Sequence, residues 1–323
     1  MTPLVSRDRF DAFVFDLDGT LLDGAARLTD RTVRAVRALK AAGYVVVLAT
    51  GRSLAGAREV HDALGLDTQI CAYNGAFIGG HDGLDPWHYA PIPDAALADL
   101  RTLERGARFL FRHTGERKFT ARAAADDLHR RVAAWYTNVE HVEGGPAALP
   151  SRDLVRVSLF FEGAEAVEAA WADLPPAARE ALHRETFPMA IFPGFDDVAL
   201  HLCEVQRRGN GKAEVYRYLL ERHGIGAHRV VAVGDQRNDL SLLRDAGLPV
   251  AMGNAVEELR ALARLVIGDH RDDGVARFLE EHVLAVDGLR AATAGSDRAE
   301  DGGRGGAAGP ASAPGRVVVP RGA

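Results

Sequence analysis

Short apolar runs that end in polar turns with glycine recur along this chain. The run at residues 12–15 leads directly into Asp-Leu-Asp-Gly-Thr at 16–20, and a β-branched run at 44–49 ends in Thr-Gly-Arg at 50–52. Such runs predict buried strands that stop at loops. Between them, residues 29–42 place apolar side chains on one face, which predicts a helix capped by Thr29 and ended by Gly43.

The same alternation continues with a predicted helix at 54–64 and a strand at 69–73 that ends in Asn74-Gly75. Strands that alternate with helices predict an α/β fold with a doubly wound parallel sheet. Ligands bind beyond the carboxyl ends of the strands in such sheets. Asp16, Thr50 and Asn74 are all expected at that edge.

The alternation breaks from about residue 83 to 194, which predicts an inserted α+β module. Its predicted helices are 94–105, 124–135 and 164–171, and its predicted strands are 109–113, 154–161 and 186–192. The parallel pattern is expected to resume with a strand at 198–205, followed by helix 212–223, strand 229–233, helix 238–246, strand 248–252, helix 255–263, strand 265–267 and helix 272–284. The predicted domains are therefore a catalytic core at 1–84 and 195–286, a cap at 85–194, and a disordered tail rich in Gly, Ala and Pro at 287–323.

Composition narrows the class of protein. The 323 residues are 47% hydrophobic and 26% charged, with a formal net charge of -6, which is ordinary for a soluble globular protein with a core. Basic and acidic residues are mixed, so neither a nucleic-acid nor a membrane surface is expected. Cys71 and Cys203 are expected to be buried apolar residues in a reducing cytoplasm, because each sits in an apolar run and no secretory signal is recognisable.

Two carboxylates follow the first strand. Asp16 and Asp18 are two residues apart on an extended chain, so they are expected to face the same side. Two carboxylates at such a short distance repel each other unless a cation lies between them or one is protonated. Their oxygens are ligands that suit Mg²⁺. A plain turn built from Asp and Gly is the alternative for this motif taken alone.

Three further stretches carry candidate chemistry at strand or helix ends. Thr50-Gly51 offers a hydroxyl and backbone N–H groups as an anion cradle, or simply a helix cap. Lys212 begins a helix after Gly-Asn-Gly and suits phosphate, unless it is a solvated surface lysine. Asp235 lies at the end of an apolar strand and offers another oxygen ligand for a metal ion. Asp239 follows at the start of a predicted helix, and capping that helix is the alternative role for it.

Together these motifs resemble the haloacid dehalogenase superfamily of phosphatases, and more narrowly its Cof-type branch, which carries an α/β cap inserted after the third core strand. The resemblance covers residues 10–284 and rests on the motifs at 16–20, 50–52, 74–76, 212, 234–239, 247–255 and 273–276. It departs at Ala213, where the family often has Gly, and at the variable positions Gln236 and Arg237.

The resemblance implies a role for each matching residue. Asp16 is the expected nucleophile, which forms an aspartyl-phosphate, and Asp18 is the expected general acid and base. Mg²⁺ is expected on the Asp16 carboxylate, the Asp18 backbone carbonyl and Asp235, with Asp239 anchoring this shell from behind. The phosphate is expected to be held by the following groups: the Leu17 N–H, Thr50, Gly51, Lys212 and Asn238.

Substrate choice is expected to lie in the cap. Arg112, His113 and Lys118 are candidates for contact with a polar substrate, although solvated surface charges are the favoured interpretation for them. Arg52 is a possible substrate contact nearer the site, or a brace of its loop. The expected partner is a small phosphorylated metabolite such as a sugar phosphate, FMN or pyridoxal phosphate. The alternatives are a phosphomutase, which would use the same two aspartates, and a non-catalytic module that binds a phosphorylated ligand.

Overall fold

The structure is a computed structural model that describes residues 5–80, 86–115, 117–121, 126–192 and 194–285. Its described residues fall into two compact units. The first unit comprises those within 1–49, 59–68 and 216–319, and the second comprises those within 50–58 and 69–215. The predicted tail at 287–323 lies outside the described residues.

The secondary structure alternates at both ends of the described chain and is rich in strands in the middle. The strands are β1 (Ala12–Phe15), β2 (Val45–Leu48), β3 (Ile70–Ala72), β4 (Phe77–Gly79), β5 (His88–Tyr89), β6 (Phe109–Thr114), β7 (Arg117–Ala121), β8 (Val139–Val142), β9 (Arg156–Phe161), β10 (Leu182–Pro188), β11 (His201–Arg207), β12 (Val230–Gly234), β13 (Leu248–Ala251) and β14 (Leu265–Val266). The α-helices are α1 (Asp30–Ala41), α2 (Leu54–Leu64), α3 (Asp94–Gly106), α4 (Asp127–Trp135), α5 (Ala164–Ala172), α6 (Pro176–Ala181), α7 (Glu214–His223), α8 (Leu240–Asp245), α9 (Glu257–Leu262) and α10 (Gly274–Leu279).

The first unit is built on a five-stranded parallel sheet in the order β14-β13-β12-β1-β2. All four residues of β1 are buried, which is why its sequence is continuously apolar instead of alternating. At its end, Phe15 lies in register with Val233 of β12 and Leu48 of β2. The carboxyl ends of these three strands therefore lie at one edge of the sheet, as predicted.

Helix α1 illustrates how local sequence sets an element boundary. The Thr29 side chain accepts a hydrogen bond from the Thr32 backbone N–H, so Thr29 is the predicted cap. The helix buries Ala35, Val36 and Leu39. The prediction of a helix over this segment is confirmed.

The second unit contains a six-stranded sheet in the order β10-β11-β9-β6-β7-β8. Its strands pair antiparallel except for β7 and β8, which are parallel. One apolar cluster joins Leu100 and Leu103 of α3 and Val167 of α5 to the sheet residues Leu159 and Val205. A parallel α/β sheet in one unit and a separate α+β unit with its own core match the predicted fold class.

Two predicted strands of the parallel sheet lie elsewhere. Strand β3 belongs to an antiparallel three-stranded sheet with β4 and β5 in the second unit. The residues after β3, Tyr73, Asn74 and Gly75, all have positive φ angles and reverse the chain, so β3 and β4 form a hairpin. The prediction that residues 69–73 extend the parallel sheet is therefore wrong.

The strand expected at 198–205 also does not resume the parallel sheet. It is present as β11, which begins at His201 and pairs antiparallel with β9 and β10. A buried apolar strand has the same local pattern in either kind of sheet, so this sequence does not distinguish its partners. The boundaries of core and cap given above remain a prediction.

Several elements of the second unit differ from the predicted ones or have no predicted counterpart. Strand β10 covers Leu182–Pro188, and residues 189–191 form a helical turn where the sequence predicted a strand at 186–192. Strands β4, β5, β7 and β8 and helix α6 were not predicted. All five are six residues or fewer, and so short a run carries little periodic signal.

The two cysteines are as expected. Cys71 and Cys203 are buried and free. Burial raises the pKa of each thiol to about 12, so both are apolar core residues in the thiol form.

Candidate active site

The site in the first unit begins where β1 ends. Asp16 follows Phe15 with an extended backbone, and its N–H donates to the Val233 carbonyl at 3.0 Å. This bond continues the β1–β12 pairing by one residue and fixes the direction of the Asp16 side chain, which is 4% exposed. The next residues, Leu17–Leu21, form a turn in which the Leu22 N–H donates to the Leu17 carbonyl and in which Asp18 and Gly19 have non-helical backbone angles.

Gly19 in this turn makes room for Asp235. Its φ is +81°, and a Cβ placed on it would stand 2.3 Å from Asp235 Oδ2. Only glycine lets the turn approach the carboxylate this closely. The Asp-x-Asp-Gly motif and the Asp235 side chain are therefore in direct van der Waals contact.

The Asp235 carboxylate is held by neighbours on three segments. Thr20 Oγ1 donates to its Oδ1 at 3.3 Å, and Asn254 Nδ2 and Gln236 Nε2 each donate to its Oδ2 at 3.2 Å. Asn254 Nδ2 also donates to the Gly19 carbonyl at 2.9 Å. Asn254 thus joins the Gly19 turn to Asp235.

Asp239 braces the loop that carries Asp235. Its Oδ2 accepts the backbone N–H of Asp235 at 2.9 Å and that of Gln236 at 3.0 Å. Gly234 leaves space for it, because a Cβ there would lie 2.5 Å from the Asp239 carboxyl carbon. The Asp239 side chain is fully buried.

Three of the predicted site carboxylates come together. Asp16, Asp235 and Asp239 are all buried, and each offers an oxygen within 4.8 Å of the others. Among the described residues this is the carboxylate cluster that could hold a metal ion. The Asp18 side chain is partly exposed and is not a member of the cluster, although its predicted metal contact is through the backbone carbonyl.

The predicted phosphate-binding residues Thr50 and Gly51 lie in the second unit. The Thr50 N–H donates to the Cys71 carbonyl at 2.8 Å, and its carbonyl accepts the Asn74 N–H at 2.9 Å. The Thr50 hydroxyl accepts the Arg52 N–H at 3.1 Å. The segments at 50–53 and 72–75 are therefore bonded to each other, and Thr50 is fully buried.

Lys212 lies next to the same part of the second unit, because the preceding residue, Gly211, packs against Gly75. Gly75 has a φ of +88°, and a Cβ on it would lie 2.1 Å from the Gly211 carbonyl oxygen. The turn at 73–75 thus packs directly on the segment that carries Lys212, whose side chain is fully buried. The alternative of a solvated surface lysine does not hold.

Arg52 is buried and donates through Nη1 to the Gly56 carbonyl at 3.4 Å. This contact lies at the start of α2, within four residues of Arg52 itself. Its proposed contact with substrate remains a prediction.

The three cap candidates are buried, so the prediction that they are surface charges is wrong. Arg112 is 6% exposed, and His113 and Lys118 are fully buried. Arg112 forms a two-point ion pair with Glu104 at 2.8 and 2.7 Å and also donates to the carbonyls of Leu149 and Pro150. The strands that bear these residues are covered on both faces, which short polar stretches do not reveal.

Two residues shape the site in the first unit although the sequence predicts no role for them. Thr20 and Asn254 both donate to Asp235, yet neither was assigned a role. Each lies in a stretch that carried the resemblance, at 16–20 and 247–255. A polar side chain next to a glycine in those stretches was the available signal.

A parallel α/β sheet with buried carboxylates at its carboxyl edge is the arrangement expected of an α/β enzyme with a metal-binding site at that edge. A model of the haloacid dehalogenase-like hydrolases matches residues 13–142 and 157–279. The chain belongs to the haloacid dehalogenase-like hydrolases.

Named relatives agree with this family. The chain is 28% identical over 278 residues to the pyridoxal phosphate phosphatase YbhA of Escherichia coli (strain K12), covering 83% of this chain and 97% of the relative. It is 26% identical over 275 residues to the 5-amino-6-(5-phospho-D-ribitylamino)uracil phosphatase YitU of Bacillus subtilis (strain 168), covering 83% and 95%. The chain is accordingly an enzyme of the phosphatase class.

A solved structure supports the fold. The crystal structure of a haloacid dehalogenase-like hydrolase from Bacteroides thetaiotaomicron superposes with a TM-score of 0.70 at 22% identity, covering 84% of this chain and 99% of that one. The predicted α/β fold with an added α+β cap is confirmed. Among the described helices, none has the length and apolar character needed to cross a membrane.

Proposed function

We propose that this protein is a Mg²⁺-dependent phosphatase that hydrolyses phosphate monoesters of small metabolites through an aspartyl-phosphate on Asp16. The observation that carries the proposal is the buried cluster of Asp16, Asp235 and Asp239 at the carboxyl ends of β1 and β12. The relatives named above are phosphatases of small phosphorylated compounds.

The donor set of this cluster fits Mg²⁺. Three buried carboxylates, each with an oxygen within 4.8 Å of the others, repel one another unless a cation offsets their charge or one is protonated. All of the available donors are oxygens, which hard cations prefer. The Asp16 and Asp235 carboxylates and the Asp18 carbonyl would hold Mg²⁺, which would supply positive charge for the phosphoryl oxygens.

The chain's own residues carry the two chemical steps. An Asp16 carboxylate oxygen attacks phosphorus, and the P–O bond to the leaving group breaks while the Asp18 carboxyl donates its proton to the departing alkoxide. Asp18, now ionised, takes a proton from water, which attacks phosphorus and releases phosphate and the Asp16 carboxylate. Asp18 is only partly buried, so it is accessible to water.

The proposed phosphate-binding groups, as the family resemblance implies, are the Leu17 N–H, Thr50, Gly51, Lys212 and Asn238. Positive charge and N–H donors directed at the phosphoryl oxygens stabilise the transition state. Asp239 is proposed to keep Asp235 in place through its two backbone hydrogen bonds. Arg52 is proposed as a further contact with substrate.

The proposed partner is a small phosphorylated metabolite of the sugar phosphate, FMN or pyridoxal phosphate class. The proposed domains are a catalytic core at 1–84 and 195–286 and a cap at 85–194. The cap is proposed to determine which metabolite binds. A cytoplasmic location is part of the same proposal, since phosphorylated metabolites of this kind are intracellular compounds.

Phosphate release tests the proposal. Purified protein is assayed against p-nitrophenyl phosphate and a panel of phosphorylated metabolites, with Mg²⁺ and with EDTA. We expect release that requires Mg²⁺ and is at least 10³-fold lower in Asp16→Asn, because the amide lacks the nucleophilic oxygen anion. Asp30→Asn, an exposed aspartate of the same unit, is the matched control and should retain activity.

Three results would contradict the proposal. Turnover by Asp16→Asn at the wild-type rate, with asparagine verified by mass spectrometry, would exclude Asp16 as the nucleophile. Accumulation of an isomeric phosphate ester in place of free phosphate would indicate a phosphomutase. Binding of phosphorylated compounds without turnover of any would indicate a binding module.

A further inference from the structure

The motif at 273–276 carried part of the family resemblance, yet the proposed chemistry gives it no role. It closes a short loop in the first unit. The Gly274 N–H donates to the Asp269 carbonyl at 3.1 Å, and a Cβ on Gly274 would lie only 2.2 Å from the Gly268 carbonyl oxygen. Glycine is therefore required at 274, since any side chain there would collide with the start of the loop. We call residues 268–274 the clamp segment.

The clamp segment is bonded to both ends of the loop that follows the Asp-Leu-Asp-Gly-Thr turn. At one end, His270 Nδ1 and the Leu22 carbonyl oxygen are 2.7 Å apart. At the other end, Asp273 Oδ1 accepts the hydroxyl of Thr29, the cap residue of α1, at 2.6 Å. The loop at 22–29 is therefore held at each end by a side chain from the clamp segment.

His270 is the donor in the bond to Leu22. A carbonyl oxygen can only accept, so the shared proton belongs to Nδ1 of the ring. The His270 side chain is 13% exposed and Leu22 is fully buried. Water therefore cannot easily replace the ring as the donor to this carbonyl, and a substitution that removes the donor leaves a buried polar atom without this bond.

Leu22 also ends the turn that carries the proposed catalytic groups. Its N–H donates to the Leu17 carbonyl at 3.0 Å, and this bond closes the turn at 17–21. The Asp18 side chain and the Leu17 N–H both belong to that turn. The peptide groups on either side of Leu22 thus join the catalytic turn to the His270 ring.

The His270 backbone reaches the Asp235 carboxylate by a second route. Its N–H donates to Asn254 Oδ1 at 3.1 Å, and Asn254 Nδ2 donates to Asp235 Oδ2 at 3.2 Å. This route uses only the main chain of His270, so it stays in place when the side chain is changed. Substitutions at 270 therefore isolate the contact between the ring and Leu22.

We propose that His270 is a positioning residue for the phosphatase reaction. Its ring holds the end of the turn at 17–21 and thereby keeps the Asp18 carboxyl in its working position. It acts through the Leu22 carbonyl and does not contact the substrate. The inference rests on the proposed phosphatase function, and it explains the motif at 273–276 as the part of the chain that shapes the clamp segment.

Two substitutions separate the donor from the bulk of the ring. His270→Asn keeps a donor at the same place, because asparagine Nδ2 and histidine Nδ1 are both three bonds from Cα, whereas His270→Leu removes it. We expect kcat/KM for phenyl phosphate to fall about tenfold or more in His270→Leu and to stay within about threefold in His270→Asn. The loss should be about threefold smaller for p-nitrophenyl phosphate, whose leaving group depends less on protonation by Asp18.

Amide hydrogen exchange examines the same contact without any reaction. In the metal-free protein, a peptide that covers residues 17–23 should exchange about tenfold faster in His270→Leu than in wild type or His270→Asn, because the turn loses its anchor. His282→Leu removes an exposed histidine of the same unit and is the matched control, with wild-type kinetics and exchange expected. Should circular dichroism show that His270→Leu does not fold, His270→Gln replaces it, since glutamine carries its amide nitrogen one bond further from Cα.

The outcomes distinguish the two proposals. Equal losses in folded His270→Leu and His270→Asn, or equal losses on the two esters, would overturn the inference, because the ring would then act by packing alone. Wild-type kinetics or wild-type exchange in His270→Leu would overturn it as well. Wild-type protein that hydrolyses neither ester would contradict the proposed function itself, and the exchange rates would still show whether the ring anchors the turn.

Discussion

Gly19 and Asp235 are in contact so close that a methyl group on Gly19 would overlap the carboxylate, with its carbon 2.3 Å from Oδ2. The two residues are 216 positions apart in sequence and come from the ends of neighbouring strands. The position of the turn after β1 and that of the Asp235 carboxylate therefore depend on each other.

Gly19→Ala should lower kcat/KM for p-nitrophenyl phosphate about 100-fold, because displacement of catalytic groups by about 1 Å has effects of that size. It should also lower the free energy of unfolding by about 1–2 kcal/mol, since alanine is strained at a φ of +81°. Both are measured with purified protein, by steady-state kinetics and urea unfolding. Gly224→Ala is the matched control, because its φ is +69° and nothing lies within 4 Å of the added carbon. A similar loss of activity in Gly224→Ala would contradict the steric argument.

If the proposed Mg²⁺ site is correct, Asn254→Ala should weaken Mg²⁺ binding 10- to 100-fold, since residues that orient a metal ligand commonly contribute that much. Asn254 donates to Asp235 and to the Gly19 carbonyl, and its Oδ1 accepts the His270 N–H at 3.1 Å. The measurement is the Mg²⁺ concentration that gives half-maximal activity. Gln236→Ala removes a single bond to the same Asp235 oxygen and should have a smaller effect. Equal effects of the two variants would argue against a special role for Asn254.

Glu104→Gln should lower the free energy of unfolding by about 3–5 kcal/mol, because it leaves the Arg112 guanidinium without its buried partner. The side chains of the pair are only 7% and 9% exposed. Urea unfolding checks this. Glu140→Gln breaks the ion pair between Glu140 and Arg117, whose side chains are 52% and 63% exposed respectively. It should lower the free energy of unfolding by less than about 1 kcal/mol. If both substitutions cost the same, the Glu104–Arg112 pair does not behave as a buried one.

Lys118 should make stability rise with pH. Burial, assisted by the nearby Arg156 charge, lowers its pKa to about 7 in the folded chain, whereas the ordinary value is 10.5. Between these values the unfolded state binds the extra proton, so the free energy of unfolding increases as pH rises and the penalty is complete below about pH 7. This group should add about 2 kcal/mol between pH 7 and pH 9, at 1.36 kcal/mol per unit.

The comparison with Lys118→Met isolates that contribution. Methionine has a similar length and no charge, so the difference in unfolding free energy between wild type and variant should shrink or reverse as pH rises from 7 to 9. A difference that does not change with pH would show that Lys118 keeps its proton or loses it equally in both states.

Local pattern determined much of this protein. Continuous apolar runs predicted β1, β2, β12 and β13, and the Thr29 cap and glycine stops predicted helix boundaries such as that of α1. The motif at 16–20 and the Gly-Asp at 234–235 marked the strand ends where the carboxylates meet. These features are short-range: periodicity, capping and turn geometry depend on neighbouring residues alone.

Only the tertiary structure decided which strands pair and which charged side chains are buried. Only the fold places β3 and β11 in antiparallel sheets, because a buried strand does not specify its partners in its own sequence. Only the fold shows that Asp239 holds Asp235 through backbone N–H groups, and that Arg112, His113 and Lys118 are buried. Whether a charge meets water or another side chain depends on elements that are distant in the chain, and therefore local sequence does not reveal it.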